Sequence, residues 1–390
     1  MARISGRGRS LSAKGALGAV ALLGLAACST STPTPAATDA ARATGSPGTF
    51  LASLDKATQI GATVPPNGDV NPYGIAVVPT TVGTLVQGST LVSNFNDSAN
   101  TQGTGTTIVQ VSPTGARSTF ARITTLPASE PCPGGIGLTT ALAVLPGGWV
   151  VVGSLPAGPG GDLPAANPAG CLIVLNSSGM PVETWTNAHI NGPWDMTTAV
   201  TASGAEIFVS NVLSRPAGLM STPPSGLCTV TRLDVSLSPG DPPRMTGSTV
   251  IGSGFPWRAN KAAFIQGPTG VALGSNGTLY VAETVGSAIT AIPGALTRTD
   301  PVMDGTDTVT AGGSLNGPLG LTMVPGGDLV AVNGNDGRAV EITPHGRQIT
   351  TVTLVPDGAG DLFGVTPTAS GKGLLFVNDG TNAVDVADMR

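Results

Sequence analysis

The sequence predicts an all-β chain: a six-bladed β-propeller of four-stranded antiparallel blades, closed by an N-terminal strand. Three observations predict it. A strand-turn-strand unit recurs six times, and the intervals between units leave room for two further strands each. The chain carries 56 Gly and 33 Pro in 390 residues with only 11% charged and 4% aromatic side chains, which excludes long helices and coiled coils. Disorder is set aside because 40% hydrophobic residues and a small net charge can support a core. Nucleic acid is excluded as a partner: Lys and Arg total 18 against 23 Asp and Glu, with no basic run to neutralise phosphates.

Each unit has a small or turn residue, an alternating apolar strand, a Gly-containing turn and a second strand ending in a polar residue. The copies run from Tyr73 to Asn94, Thr140 to Ser154, Trp194 to Asn211, Thr269 to Glu283, Leu319 to Asn333 and Phe363 to Asp379. Their starts, at Gly74, Ala141, Asp195, Gly270, Gly320 and Gly364, lie 44 to 75 residues apart. Segments such as TTIVQVSPTGARSTFARI and GRAVEITPHGRQITTVTL read as the two outer strands of a blade, joined by a polar turn. The last unit stops one strand short at Arg390. The segment from Thr49 to Ala57 is therefore expected to supply the outer strand of the sixth blade, so that no sheet edge is left open. With so few aromatics, the packing between blades is expected to rest on Val, Leu, Ile, Ala and Thr, with Gly serving turns that need φ > 0.

Ahead of the repeats, Arg3, Arg7, Arg9 and Lys14 precede a short apolar run over residues 15–27 that ends at Cys28. That is the pattern of a signal peptide, too short to span a bilayer as a mature helix. Leu25-Ala26-Ala27-Cys28 resembles the lipobox of bacterial lipoproteins, which implies lipid attachment to the Cys28 thiol and cleavage before it. The expected organisation is a signal peptide over 1–27, a Ser/Thr/Pro/Ala tether over 28–47 and a propeller over 48–390. The protein is thus expected outside the cytoplasm, held to a bacterial cell membrane by a lipid at Cys28. Cleavage removes four basic residues and no acidic one, so attraction to anionic headgroups would not assist the anchor.

The segment GPTGVALGSNGTLYVAE, from Gly267 to Glu283, resembles the NHL-repeat family of propellers. The resemblance extends from about residue 49 to the end and implies a fold more than a function, since such propellers include hydrolases, lyases and binding scaffolds.

Long insertions after Ser154, after Asn211 and from Gly254 to Gln266 are expected on one face, here the upper face, which carries the loops leading into the inner strands. Three cysteines belong to that face: Cys132, Cys171 and Cys228. In an exported chain a disulfide is the default reading, and Cys132 with Cys171 is the preferred pair, pinning the insertion between them. No C-x-x-C spacing supports zinc. His345 lies in a polar turn, whereas His189 lies in TNAHINGPWD beside Trp194 and Asp195. Asp195 stands where four other inner strands begin with Gly. With Trp257, Arg258 and Lys261 from the adjacent loop, these residues outline a pocket with aromatic walls and a few polar groups, suited to a small molecule, a glycan or an envelope protein.

The second strands end in Asn94, Ser154, Asn211, Glu283, Asn333 and Asn378, the last followed by Asp379. Such a ring could hold a divalent cation, Ca²⁺ or Mg²⁺, through oxygen ligands, or could cap turns in every blade. Resemblance to gluconolactonase-like hydrolases implies a metal held by Glu283, Asn211, Asn333 and Asp379. Resemblance to streptogramin lyase-like enzymes implies His189 as a base working with Glu283. Neither pattern matches residue by residue. A binding protein acting through its upper-face loops is the first reading, and a metal-dependent hydrolase or lyase the alternative.

Overall fold

The computed structural model describes residues 48–390 except 129–130, 156, 158–169, 202–203, 213–227, 261–263 and 305. The signal, the tether and Cys28 lie outside the described residues, as do Lys261 and most of the two longest insertions.

Six sheets follow one another along the chain, each built of antiparallel strands laid from the axis outward as the sequence runs, except that the outermost strand of the sixth comes from the N-terminal end and the third gains a late parallel strand. The inner strands are Val70–Val77, Leu138–Leu145, Pro193–Val200, Pro268–Leu273, Pro318–Met323 and Leu362–Pro367. Their hairpin partners are Thr90–Asn96, Trp149–Ser154, Gly204–Asn211, Leu279–Glu283, Leu329–Asn333 and Gly373–Asn378. The second strands are buried almost throughout, because sheets cover both of their faces, and this is why they read as continuous Val/Leu/Ile runs. Between blades the clusters are mostly aliphatic, for example Val150, Val152, Ile173 and Leu175 packed with Leu91 and Ile108, with aromatics such as Phe208, Tyr280 and Phe376 among them.

The closing strand lies further along the chain than expected. Thr58–Ala62 pairs antiparallel with Ala383–Asp388 and completes the sixth blade, with Thr58 opposite Val386 and Ala62 opposite Ala383. The segment expected to do this instead begins with one helical turn, Phe50–Ser53, and reaches the blade without adding a strand: Leu54 bridges to Met389, the Asp55 amide donates to the Asp388 carbonyl at 2.7 Å, and Arg390 pairs with Asp55. The reason is a buried carboxylate. Glu341 of the fifth blade, 1% exposed, accepts the Phe50 and Leu51 amides at 2.9 and 2.8 Å, and a helical turn is the conformation that presents two adjacent amides together. Phe50 and Leu51 are buried at the same place, among Val330, Leu354 and Phe376.

The inner-strand glycines do not serve turns. Gly74, Gly270, Gly320 and Gly364 have ordinary φ, but a Cβ at any of them would strike the next blade's inner strand. The Thr140 carbonyl oxygen would lie 2.7 Å from a Cβ at Gly74, and the Tyr73 carbonyl oxygen 2.5 Å from one at Gly364; at Gly320 the obstacle is the Phe363 carbonyl. Glycine at this repeat position lets neighbouring backbones approach at the axis. Hydroxyls staple the same seams: Ser93 Oγ donates to the Thr139 carbonyl at 2.7 Å, Ser210 Oγ to that of Thr269 at 2.6 Å, and Thr140 Oγ1 to that of Trp194.

Blade three is reinforced in a way the repeat pattern does not foretell. The connection after Ala288–Ile292 in blade four sends Val302–Met303 back to pair in parallel with Arg244–Phe255, adding a fifth strand to blade three. Arg232, buried beneath it, donates to the Ala295 and Arg298 carbonyls and to Asp234. Cys132 and Cys171 are joined with their Cα atoms 5.5 Å apart, and Cys228 is a buried thiol donating to the Val212 carbonyl.

Candidate functional site at the propeller axis

The residue immediately before each inner-strand glycine position points to the upper end of the axis. In blades one, three, five and six it is Tyr73, Trp194, Leu319 and Phe363. With Phe95 these side chains form a plug. The Tyr73 ring stacks on Phe363 at 4.0 Å and on Phe95 at 4.5 Å, while Trp194 meets Tyr73 and Phe95 edge-on at 5.5 and 5.9 Å. All are buried, and Trp257 and Ile265 of the upper-face loop pack on the same cluster. Tyr73, Phe95, Trp194 and Phe363, from blades one, three and six, thus meet where they close the channel. The Tyr73 hydroxyl has no hydrogen-bond partner, and burial with the nearby Asp379 raises its pKa well above the usual value.

Above the plug is a pocket of about 220 Å³ whose floor is Leu319 and Phe363 and whose edges include Asn260, Gln266, Asn335 and Gly360. It exists because Arg258–Asn260 and Phe264–Gln266 form a hairpin, with Arg258 opposite Gln266, and Arg258 Nε donates to Gln266 Oε1 at 2.6 Å. Arg258 is exposed beside this pocket and Trp257 backs it from below, so these two expected site residues share the upper face. Asn260, Gln266 and Asn335 escaped sequence reasoning; the hairpin pairing that brings the first two together has no repeat signature.

His189 does not join them. Its Nδ1 is 3.0 Å from Ser248 Oγ on the outermost long strand of blade three, and its carbonyl accepts from Thr231 Oγ1 at 2.9 Å, which places it toward the rim. Trp194 and Asp195 part company as well, the indole entering the plug and the carboxylate entering the channel beneath it.

The polar residues that end the second strands are used by the loops of their own blades. Asn211 Oδ1 accepts the Asn191 amide at 3.2 Å and Asn333 Oδ1 the Asn316 amide at 3.0 Å; Asn94 Nδ2 donates to the Thr63 carbonyl at 3.1 Å. Ser154 Oγ bridges Gly135 and Gly137, and Glu283 Oε1 accepts the Gly286 amide at 2.8 Å. The pattern in these five is capping, in which the side chain ties the loop leading into its own inner strand, or the turn beside it, to the blade; Asn378 differs, its Nδ2 donating to Asp385 Oδ2 on the next strand at 2.9 Å. Among the described residues no three His, Cys, Asp or Glu side chains gather in a way that could hold a metal ion. Of the set Glu283, Asn211, Asn333 and Asp379, three members accept amides separately, each within its own blade. Burial, with Asp304 nearby, raises Glu283 to about 7; burial, with Asp361 nearby, raises Asp379 to about 6.

Beneath the plug the channel is a cavity of about 120 Å³, closed above by Trp194, Leu319 and Phe363. The inner strands are buried at these ends and become more exposed toward Thr197, Thr322 and Thr366, so the cavity opens downward. Among the described residues, Asp195 is the one charged residue lining it. Its side chain stands where four other blades have only hydrogen and blade two has the methyl of Ala141, and Oδ2 accepts the Val271 amide of blade four at 3.1 Å. Burial raises its pKa to about 7, opposed by the Val271 and Met196 amides.

No family model matches the chain, and no curated protein matches it in sequence. Solved structures share the fold. A gluconolactonase from Xanthomonas campestris is 15% identical with a TM-score of 0.53, covering 87% of this chain and 92% of its own. A streptogramin B lyase is 13% identical with a TM-score of 0.50, covering 88% and 100%. The calcium-binding protein regucalcin from Agrobacterium tumefaciens is 11% identical with a TM-score of 0.50, covering 85% and 96%. At these identities the likeness is one of architecture.

Proposed function

We propose that this chain is an exported, lipid-anchored propeller that binds a glycan, small molecule or envelope protein on its upper face, and that it is not a metal-dependent hydrolase or lyase. One observation carries the reading: the upper end of the axis is filled by the stacked Tyr73, Phe95, Trp194 and Phe363, while the polar ring around it is spent on capping loops. What is left for recognition is the pocket above the plug, with the Arg258 guanidinium, the carboxamides of Asn260, Gln266 and Asn335, and an apolar floor. Apolar walls with a few directed polar groups are the usual composition of a binding site. The Cys132–Cys171 disulfide supports an oxidising compartment, in keeping with the signal-like N-terminus and the Leu25-Ala26-Ala27-Cys28 motif.

The test is a glycan array and envelope-fraction screen with the intact protein, followed by affinity measurement on Arg258→Ala and Asn335→Ala. A ligand whose affinity falls about tenfold or more in both variants supports the reading. Metal-dependent turnover of a lactone or of a streptogramin by the purified protein would overturn it. Anchoring is checked separately: Cys28→Ala should release the protein from the membrane fraction and abolish labelling by a fatty-acid probe.

A further inference from the structure

The channel beneath the plug has a chemistry of its own, and nothing in the upper-face reading uses it. Its one charge is the Asp195 carboxylate, set near the closed end beside Trp194. Val271, Leu321 and Val365 line it with aliphatic side chains, and the hydroxyl-bearing Thr197, Thr322 and Thr366 stand toward the mouth. The inner strands also turn an unpaired edge to the axis, so backbone carbonyls face the void.

The occupant is constrained by each feature. A lone negative charge in a narrow, partly enclosed space repels anions and favours a cation. Divalent ions want six or more oxygens and near-complete charge compensation, which one carboxylate does not provide. A sugar is too bulky for a cavity of about 120 Å³, and a quaternary ammonium has no N–H to donate to the carboxylate. A primary ammonium group offers three N–H donors on a compact head, and a short alkyl chain behind it matches the aliphatic wall. A carboxylate accepts about four hydrogen bonds, so the two amides on Asp195 leave capacity for such a head. We propose that the channel beneath the plug binds a short primary alkylammonium ion, with its ammonium head on Asp195 and its chain along Val271, Leu321 and Val365.

The experiment is calorimetric titration of the intact protein with butylammonium at about pH 8, with 1-pentanol as the uncharged control and tetramethylammonium as the cation without N–H donors. Saturable one-site binding of butylammonium alone is expected, weakened about tenfold or more in Asp195→Asn, in line with loss of one charge-assisted hydrogen bond. Thr322→Phe leaves Asp195 in place and narrows the mouth, and it should abolish binding while leaving upper-face ligands unaffected. No saturable binding to the wild-type protein, or equal binding to wild type, Asp195→Asn and Thr322→Phe, would overturn the proposal. If Asp195→Asn does not fold, Thr322→Phe decides alone. Upper-face binding is read with different variants, so the two proposals fail independently.

Discussion

Above the plug, Leu319 and Phe363 are the floor of a shallow pocket edged by carboxamides from loops; below it, the same two side chains close a channel walled by inner strands and charged only at Asp195. The upper pocket is made by a hairpin and by loops of blades five and six, elements that can change without disturbing the sheets. The channel is made of strand backbones held so close that glycine is required at four of six positions. Recognition that varies belongs above, and a small, invariantly shaped cavity belongs below. The plug keeps the two compartments separate.

The sharpest way to break this comparison is to remove the partition. Trp194→Ala deletes a buried indole that touches both Tyr73 and Phe95, and should cost about 3–5 kcal/mol in denaturant unfolding. If the fold persists, the variant should connect the compartments, so that an upper-face ligand and butylammonium no longer bind independently. Full stability in Trp194→Ala would mean that the plug does not hold the axis together.

Gly320→Ala probes the walls instead. Its new methyl would meet the Phe363 carbonyl and push blades five and six apart, for an expected loss of about 1–3 kcal/mol. The Ala already present at position 141 is the natural contrast.

Asp195→Asn separates charge from shape. The folded-state pKa of Asp195 is raised from 3.8 to about 7, so the folded protein holds this proton more tightly than the unfolded chain does. Its share of stability is complete below about pH 4, falls as the pH rises to about 7 and stays low above that. Asparagine keeps an acceptor for the Val271 amide and has no charge to bury. The variant should therefore match wild type near pH 4 and exceed it at pH 8 by about 2–4 kcal/mol, measured as unfolding free energy against pH. Glu283 and Asp379, raised for the same reason, would leave a residual slope of the same sign. The smallest effect belongs to the exposed upper face: Arg258→Ala should change stability by less than about 0.5 kcal/mol while weakening upper-face binding.

The propeller was legible because each blade repeats the same alternation, and six consistent copies outweigh any one ambiguous strand. The closing strand was not. TFLASLDKA and TQIGA are both short, and what selects the second is the buried Glu341 carboxylate drawing Phe50 and Leu51 into a helical turn. The candidate site was read one layer too coarsely. Trp194 and Asp195 are adjacent in sequence, but the register shifts between Pro193 and Asp195, so the simple alternation of a strand does not place them; the indole joins the plug and the carboxylate lines the channel. A usable signal was present: Tyr73, Trp194, Leu319 and Phe363 each precede the same repeat position, so a bulky ring at the axis follows once the repeats are aligned.

By itself the sequence determined the all-β class, the blade count and the repeat positions of the inner-strand glycines, because these depend on local alternation and turn chemistry repeated along the chain. Only the tertiary structure decided what those positions do. The glycines admit neighbouring backbones, the second-strand carboxamides cap loops, and scattered aromatics become one plug. Each outcome depends on atoms far apart in sequence meeting at an axis that no single blade contains.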